Sequence, residues 1–453
     1  MPSFSPALSG TRTRRSSVLA VGATSFAFLV TMMGTTLPTP LYSIYAQELA
    51  FSALTVTILF AVYAVGVVVA LALFGRLSDD VGRRPVLFVA VALAAVSAVL
   101  FLLPSTLPLF VVARVISGLS AGLMTGTGTA AVIDLFPPER KAVGGMLAVA
   151  VNTGGLGLGT LSAGVIADVT SSPLTIPYVV NLVLAVLAGT GLWIFAVAPA
   201  TSPTWRIRPR RLQVPSSIRR AFVTAVLAAG TAFAVTGVLT AVSALFLTEY
   251  LGSTSHTKAG LVVFLTFLFM AVGQLLARRL STATAMLVGC LALIPAAALL
   301  ALALAYTVLE PLLASSVVLG VAGGLCLNAS LATTVERVEQ QFRGGVSSAF
   351  FAGIYVMLAV PAVGVGVLAR VTDLRTAGIV FSGLVAALGA GWPWPSWWRA
   401  DGPERRQPRG LVVTGGMVIT GRVVVVVVTG GSVGSAGAAV GGPRSGARSA
   451  RSS

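Results

Sequence analysis

The stretch GRLSDDVGRRPVL, residues 75 to 87, holds five charged side chains, Arg76, Asp79, Asp80, Arg83 and Arg84, in a chain that is only 9% charged. It separates two apolar runs at about 54–74 and 85–103. At about 1.5 Å per residue, each run is long enough to cross most or all of the roughly 30 Å hydrocarbon core of a bilayer. The stretch therefore reads as a water-facing loop between two membrane helices, and the fold class depends on how often the chain repeats that arrangement.

Outward from this loop the arrangement recurs. Apolar runs bounded by charges, Pro and Gly predict twelve helices at about 18–38, 54–74, 85–103, 107–133, 142–167, 178–198, 221–247, 259–277, 283–305, 312–334, 345–369 and 376–392. A hydrophobic share of 56% and a mean hydropathy of +0.95 exclude an ordinary water-facing surface. The first run has an alternative reading as a signal peptide behind Arg12, Arg14 and Arg15; its length and the lack of a clear small-residue cleavage site stand against it.

The basic residues orient the helices. With the N-terminus in the cytoplasm, Lys258, Arg370 and Arg375 are the loop cations left outside, Arg114 lies within a helix, and every other Lys and Arg falls inside. The expectation is a multi-pass protein of the plasma (inner) membrane with both termini cytoplasmic. Its parts are an N-tail at 1–17, a six-helix bundle at 18–198, a linker at 199–220, a second bundle at 221–392 and an irregular, disordered cytoplasmic tail at 393–453. The linker arginines have two readings, topogenic charge or a grip on anionic lipid headgroups. The halves echo each other: AVG at 64–66 recurs at 271–273, TSFA at 24–27 resembles TAFA at 231–234, and Gly144–Gly145 parallels Gly344–Gly345. Common order and spacing suggest a duplicated six-helix unit with pseudo-symmetric halves.

Several function classes fall away. The net charge of +17 does not point to nucleic acid, because the cations sit between apolar runs rather than on a solvated, aromatic-laced face. His256 is the only histidine and has no clustered Cys or carboxylate beside it in sequence, so neither a metal site nor His-based catalysis is expected. Cys290 and Cys326 fall within predicted helices and read as reduced packing residues. No nucleophile, acid pair or metal cluster gathers at one depth, so an enzyme and a bound cofactor are not expected either.

The pattern Gly75-x-Leu77-x-Asp79-x-x-Gly82-Arg83-Arg84 resembles the signature of the loop between helices 2 and 3 in the major facilitator superfamily of secondary transporters. The resemblance extends over roughly 18–390 and implies an all-α membrane protein whose twelve helices form two bundles that rock about a central site. One departure is Asp80, where the family usually has a basic residue. The residues also carry a physical reading. Gly75 permits close helix approach, Gly82 a tight turn, and Asp79 sits where a helix dipole favours a carboxylate. By resemblance Asp79 is the acid of a conformational latch facing the start of helix 11, near Gly344 and Gly345. Arg83 has three readings, a pair with Asp134 at the end of helix 4, a contact with lipid phosphate, or a charge that only fixes topology, and Arg84 reads as topogenic.

Further candidates lie inside the helices. Arg114, with Gly118 and Gly122 in RVISGLSAG, resembles the superfamily's helix-4 motif, whose arginine is linked to proton coupling or to substrate. A mid-span arginine costs at least about 2.5–3.5 kcal/mol to insert, so it should face a cavity or a partner unless it snorkels outward. The run NTGGLGLGTLSAG, 152–164, resembles a degenerate form of the glycine-rich helix-5 motif of drug:proton antiporters, with Gly159 and Gly164 matching and Thr160 where proline is usual. With Gly155, these glycines are expected to let helices pack closely. Thr35, Thr240 and Asn328 lie on helices 1, 7 and 10, which line the cavity in this architecture; most membrane Thr side chains bond only their own backbone, so Asn328 is the strongest of the three. None of the thirteen acids falls clearly at mid-membrane depth. The resulting expectation is a monomer in a lipid bilayer that moves a small solute by alternating access, as proton-coupled efflux of a hydrophobic or amphipathic compound, with uptake, facilitated diffusion or a transport-inactive sensor as alternatives.

Overall fold

The computed structural model describes residues 9–75, 77–103, 106–196, 214–336 and 338–390, excluding the side chains of residues 9–17, 79, 340, 341 and 390. Twelve principal helices run in chain order: α1 Ser9–Thr36, α2 Ala53–Phe74, α3 Arg83–Leu102, α4 Leu107–Asp134, α5 Lys141–Val169, α6 Ile176–Phe195, α7 Arg219–Glu249, α8 His256–Ala277, α9 Thr282–Tyr306, α10 Leu309–Val335, α11 Gln340–Val371 and α12 Leu374–Ala390. Eleven spans are long and apolar enough to cross a bilayer, and α12 is apolar but shorter over its described length. The fold is therefore the all-α membrane architecture that the hydropathy pattern predicts. The whole of the expected tail at 393–453, and most of the linker, lie outside the described residues.

Local chemistry sets where helices begin. Ser52, Ser255 and Ser281 each accept a backbone N–H three residues on, from Thr55 at 3.2 Å, Lys258 at 3.4 Å and Thr284 at 3.0 Å. Outward-facing side chains such as Val65, Val186, Leu187, Trp193 and Val360 are more than half exposed, as expected where lipid is the solvent.

Two local departures from the predicted pattern have physical causes. α1 begins at Ser9 because its polar first turns continue the helix beyond the apolar run. At its other end, Pro38 and Pro40 stop the regular helix, and the chain turns through Thr39–Leu41 into a short helix, Tyr42–Leu49. Residues Thr39 to Tyr45 are all buried, so what the sequence suggested was an external loop is an apolar plug, ended by Ala50 in the left-handed region at φ 52°.

The pairing of helices carries the duplication. In the first half α1 packs on α4 and α5, α2 on α4, and α3 on α4 and α6; in the second, α7 packs on α10 and α11, α8 on α10, and α9 on α10 and α12. Each pairing in one half has its counterpart six helices later. Two long seams join the halves, α2 against α11 and α5 against α8, and the same exchange turns one into the other. The main apolar cluster spans both halves, drawing in Leu41, Tyr42, Tyr45, Phe110, Tyr178 and Phe246.

Candidate functional site

The loop that opened the reading folds as a short helix, Leu77–Val81, followed by Gly82 at φ 97°, a conformation that a residue with a Cβ rarely adopts. Arg83 then starts α3, with Nε 3.3 Å from Asp134 Oδ2 at the end of α4 and Nη1 donating to Ser78 Oγ at 2.5 Å. Both partners of the ion pair are partly exposed. Arg84 donates to the carbonyl of Trp193 at 2.7 Å and lies over the rings of Phe88 and Trp193, closing the end of α6. Asp80 is exposed. The side chain of Asp79 lies outside the described residues. The loop's placement is nevertheless fixed at Gly75, where an added Cβ would lie 2.7 Å from Ser348 Oγ in the first turns of α11.

The twin of this contact closes the other seam. At the end of α8, Arg278 Nη1 donates to the Ala142 carbonyl at 3.1 Å, and its Nη2 would lie 3.1 Å from a Cβ at Gly145. Sequence reasoning missed Arg278, although the signal was present. If the loop after α2 faces the start of α11 beside Gly345, the duplicated loop after α8 must face the start of α5 beside Gly145.

The opposite end of the α5–α8 seam holds a second missed residue. Asp168, on the last turn of α5, accepts from Ser255 Oγ at 2.8 Å and from the backbone N–H groups of His256 at 2.8 Å and Thr257 at 2.9 Å, and lies 2.8 Å from His256 Nδ1. A carboxylate of one half thus satisfies the free N–H groups at the start of a helix in the other. Between the two ends, Gly164 meets the His256 backbone, Gly157 meets Phe264, and Thr160 Oγ1 donates to Gly157 O at 2.8 Å and reaches Gly260 O at 3.1 Å.

The other packing glycines serve the first half. Gly118 and Gly122 bring α4 against Tyr63, Gly66 and Val67 of α2, while Gly155 and Gly159 bring α5 against Leu29 and Met33 of α1.

Arg114 does not run to the outer interface. It is 2% exposed, donates through Nη1 to the Thr35 carbonyl at 2.8 Å and through Nε to the Leu59 carbonyl at 3.3 Å, and lies 4.7 Å from the centroid of the Tyr63 ring. The Tyr63 ring in turn meets Tyr355 of α11 at 6.3 Å, across the α2–α11 seam. Thr35 offers the arginine its carbonyl, whereas its hydroxyl donates to Met32 O at 2.7 Å; Thr240 likewise donates to Thr236 O at 2.7 Å. Asn328 is half-buried, and its side chain forms no hydrogen bond among the described residues. Four buried polar atoms among the described residues also lack partners: Ser25 Oγ, Tyr42 Oη, Asn181 Oδ1 and Ser243 Oγ. A cavity of about 10 Å³, room for one water, lies between α1, α3, α4 and α6 and is lined by Thr31, Thr35, Ser117, Tyr178 and Asn181. Among the described residues no group of three or more His, Cys, Asp or Glu side chains could hold a metal. The two thiols, Cys290 and Cys326, are buried and free, with their sulfurs 4.0 Å apart.

A family model, Major Facilitator Superfamily, matches residues 24–360. The chain belongs to the Major Facilitator Superfamily. Among its relatives, the quinolone resistance protein NorA of Staphylococcus aureus is 25% identical over 142 residues, which are 30% of this chain and 37% of that protein. The chain thus matches little more than a third of that relative's length. Among solved structures, a bacterial homolog of the human lysosomal transporter Spinster, in an inward-facing and unoccupied conformation, has a TM-score of 0.62 at 14% identity, covering 83% of this chain and 96% of that one. The nucleoside transporter NupG has a TM-score of 0.63 at 14% identity, covering 82% and 98%. These two likenesses place the superfamily fold. Within the superfamily pattern, the unusual Asp80 points to solvent, and the unusual Thr160 uses the hydroxyl that a proline lacks to bond across the seam.

Proposed function

We propose that this protein is a secondary transporter that moves a small solute through the membrane by alternating access, as proton-coupled efflux of a hydrophobic or amphipathic compound. The observation that carries this reading is the pair of exchange-related seams, α2–α11 and α5–α8, each holding a contact at its cytoplasmic end between repeat-equivalent segments. A pair of halves whose longest shared contacts are two such seams can hinge at one end while closing at the other. The likeness to a quinolone resistance protein supports export. The protein works as a monomer in the inner membrane with both termini cytoplasmic, as its basic loops favour. In this cycle Asp79, Gly75, Gly82, Arg83 and Asp134 form the inner latch, and Arg114 and Asn328 face the solute or couple its movement to protons.

A second reading, facilitated diffusion, is favoured by one observation: no acid sits clearly at mid-membrane depth to load and release a proton. Flux of labelled solutes into liposomes containing the purified protein, with and without an imposed pH gradient, separates the two. Uptake driven by the gradient supports antiport, and equal flux with and without it supports facilitation. Silence across a broad solute panel would overturn both.

A further inference from the structure

Among the described residues Arg114 is the one charged side chain that is fully buried. Its recorded partners are two backbone carbonyls and the face of a tyrosine ring, and none of the described carboxylates pairs with it. Carbonyls and ring faces offer partial charges, so the site keeps most of a full positive charge out of water, a costly arrangement unless something else supplies the anion. A guanidinium also has five N–H donors in a planar fork suited to a carboxylate, and the carbonyls of Thr35 and Leu59 engage Nη1 and Nε.

The surroundings complete such a site. Tyr42 packs in the same buried cluster as Phe110 and Ala113, the neighbours of Arg114 along α4; it is 1% exposed and its hydroxyl has no hydrogen-bond partner among the described residues. A phenol donates well to an anionic oxygen. Access follows from the seam: Arg114 stacks on Tyr63, and Tyr63 touches Tyr355 of the other half, so parting α2 from α11 uncovers the ring that covers the guanidinium. Rings of Tyr45, Phe101, Phe110 and Tyr178 pack together nearby and suit an apolar body attached to the charge.

We propose that the solute is an amphipathic anion, whose single carboxylate pairs with Arg114 and accepts from the Tyr42 hydroxyl while its apolar part lies among the tyrosine and phenylalanine rings. This rests on the transport reading above and adds its charge class: an interior with a buried cation and no mid-depth acid repels cationic amphipaths and favours anions.

The test compares three probes of one shape, 1-naphthoate, 1-naphthylmethanol and 1-naphthylmethylammonium, for binding to the full-length purified protein by thermal stabilisation and for flux in liposomes. The expected result is that naphthoate binds at least about tenfold more tightly than the other two, that Arg114→Gln abolishes this preference, and that Arg114→Lys retains it in weakened form. Tyr42→Phe should weaken naphthoate by about three- to tenfold with the ligand-free unfolding temperature unchanged, which keeps the test alive if Arg114→Gln does not fold. Equal or tighter binding of the ammonium probe, undiminished naphthoate binding without Arg114, or no binding of any probe would overturn the anion site. Flux of the ammonium or the alcohol without naphthoate would overturn it too, leaving the transport reading intact. Naphthoate binding without flux of any solute would sink transport and keep the site.

Discussion

Thr160 shows how much one hydroxyl can decide. A proline at this place in α5 would remove a backbone N–H and kink the helix, whereas threonine keeps it regular and reaches Gly260 O across the seam. Thr160→Val keeps the shape and deletes the bond, so it should lower stability by about 1 kcal/mol, read from thermal unfolding of the purified protein. The pair formed by Arg83 and Asp134 is the opposite case. Both side chains are partly exposed, so Asp134→Asn should change stability by less than about 1 kcal/mol. If the inner latch works as proposed, the same variant should slow solute turnover severalfold, and unchanged turnover would remove Asp134 from the latch. The sequence made Arg83 and Asp134 legible because their motifs are short and local. Arg114's carbonyl partners were not legible, since Thr35 and Leu59 lie on other helices and offer backbone atoms that no residue type advertises.

At the scale of elements, helix ends do the joining. α12 starts at Asp373, which accepts from Thr376 Oγ1 at 2.6 Å, from the Thr376 N–H at 2.9 Å and from the Tyr250 hydroxyl at 3.3 Å. These bonds, the Thr376 hydroxyl's first, hold its carboxyl below the ordinary range. A depressed folded value means that the cap's contribution is complete above about pH 4 and fades as pH falls through the folded value. Hydrogen exchange at the Thr376 amide should therefore lose protection on acidification, and Asp373→Asn should flatten that dependence. The plug at Thr39–Leu49 was not legible: the segment falls between the predicted runs at about 18–38 and 54–74 and is too short and interrupted to read as a span. Burial between the halves, which no local pattern records, makes it a helix.

For the molecule as a whole, hydropathy made the twelve helices readable, because lipid leaves the backbone almost no alternative to helix. The internal echoes made the duplication readable. Which faces meet was not, because helices apolar all round present no stripe to match. The seams supply that missing information and a direct test of motion. A Cβ on Gly75 would lie 3.5 Å from the Ser348 Cβ across the α2–α11 seam, so the double variant Gly75→Cys, Ser348→Cys places two thiols within disulfide reach. Oxidising this pair should abolish transport and reduction should restore it, while the native Cys290 and Cys326, both buried in the second half, should give no such effect.

Asp168 gathers its bonds from the opposite half, so it favours states in which this end of the α5–α8 seam, the outer end in the proposed topology, is closed. Each 1.4 kcal/mol of that preference is about tenfold in population. Asp168→Asn should accordingly change the ratio of the two states: in the proposed topology solute offered from the cytoplasm would meet a binding-competent molecule less often and solute offered from outside more often, the ratio of the two populations moving by that factor.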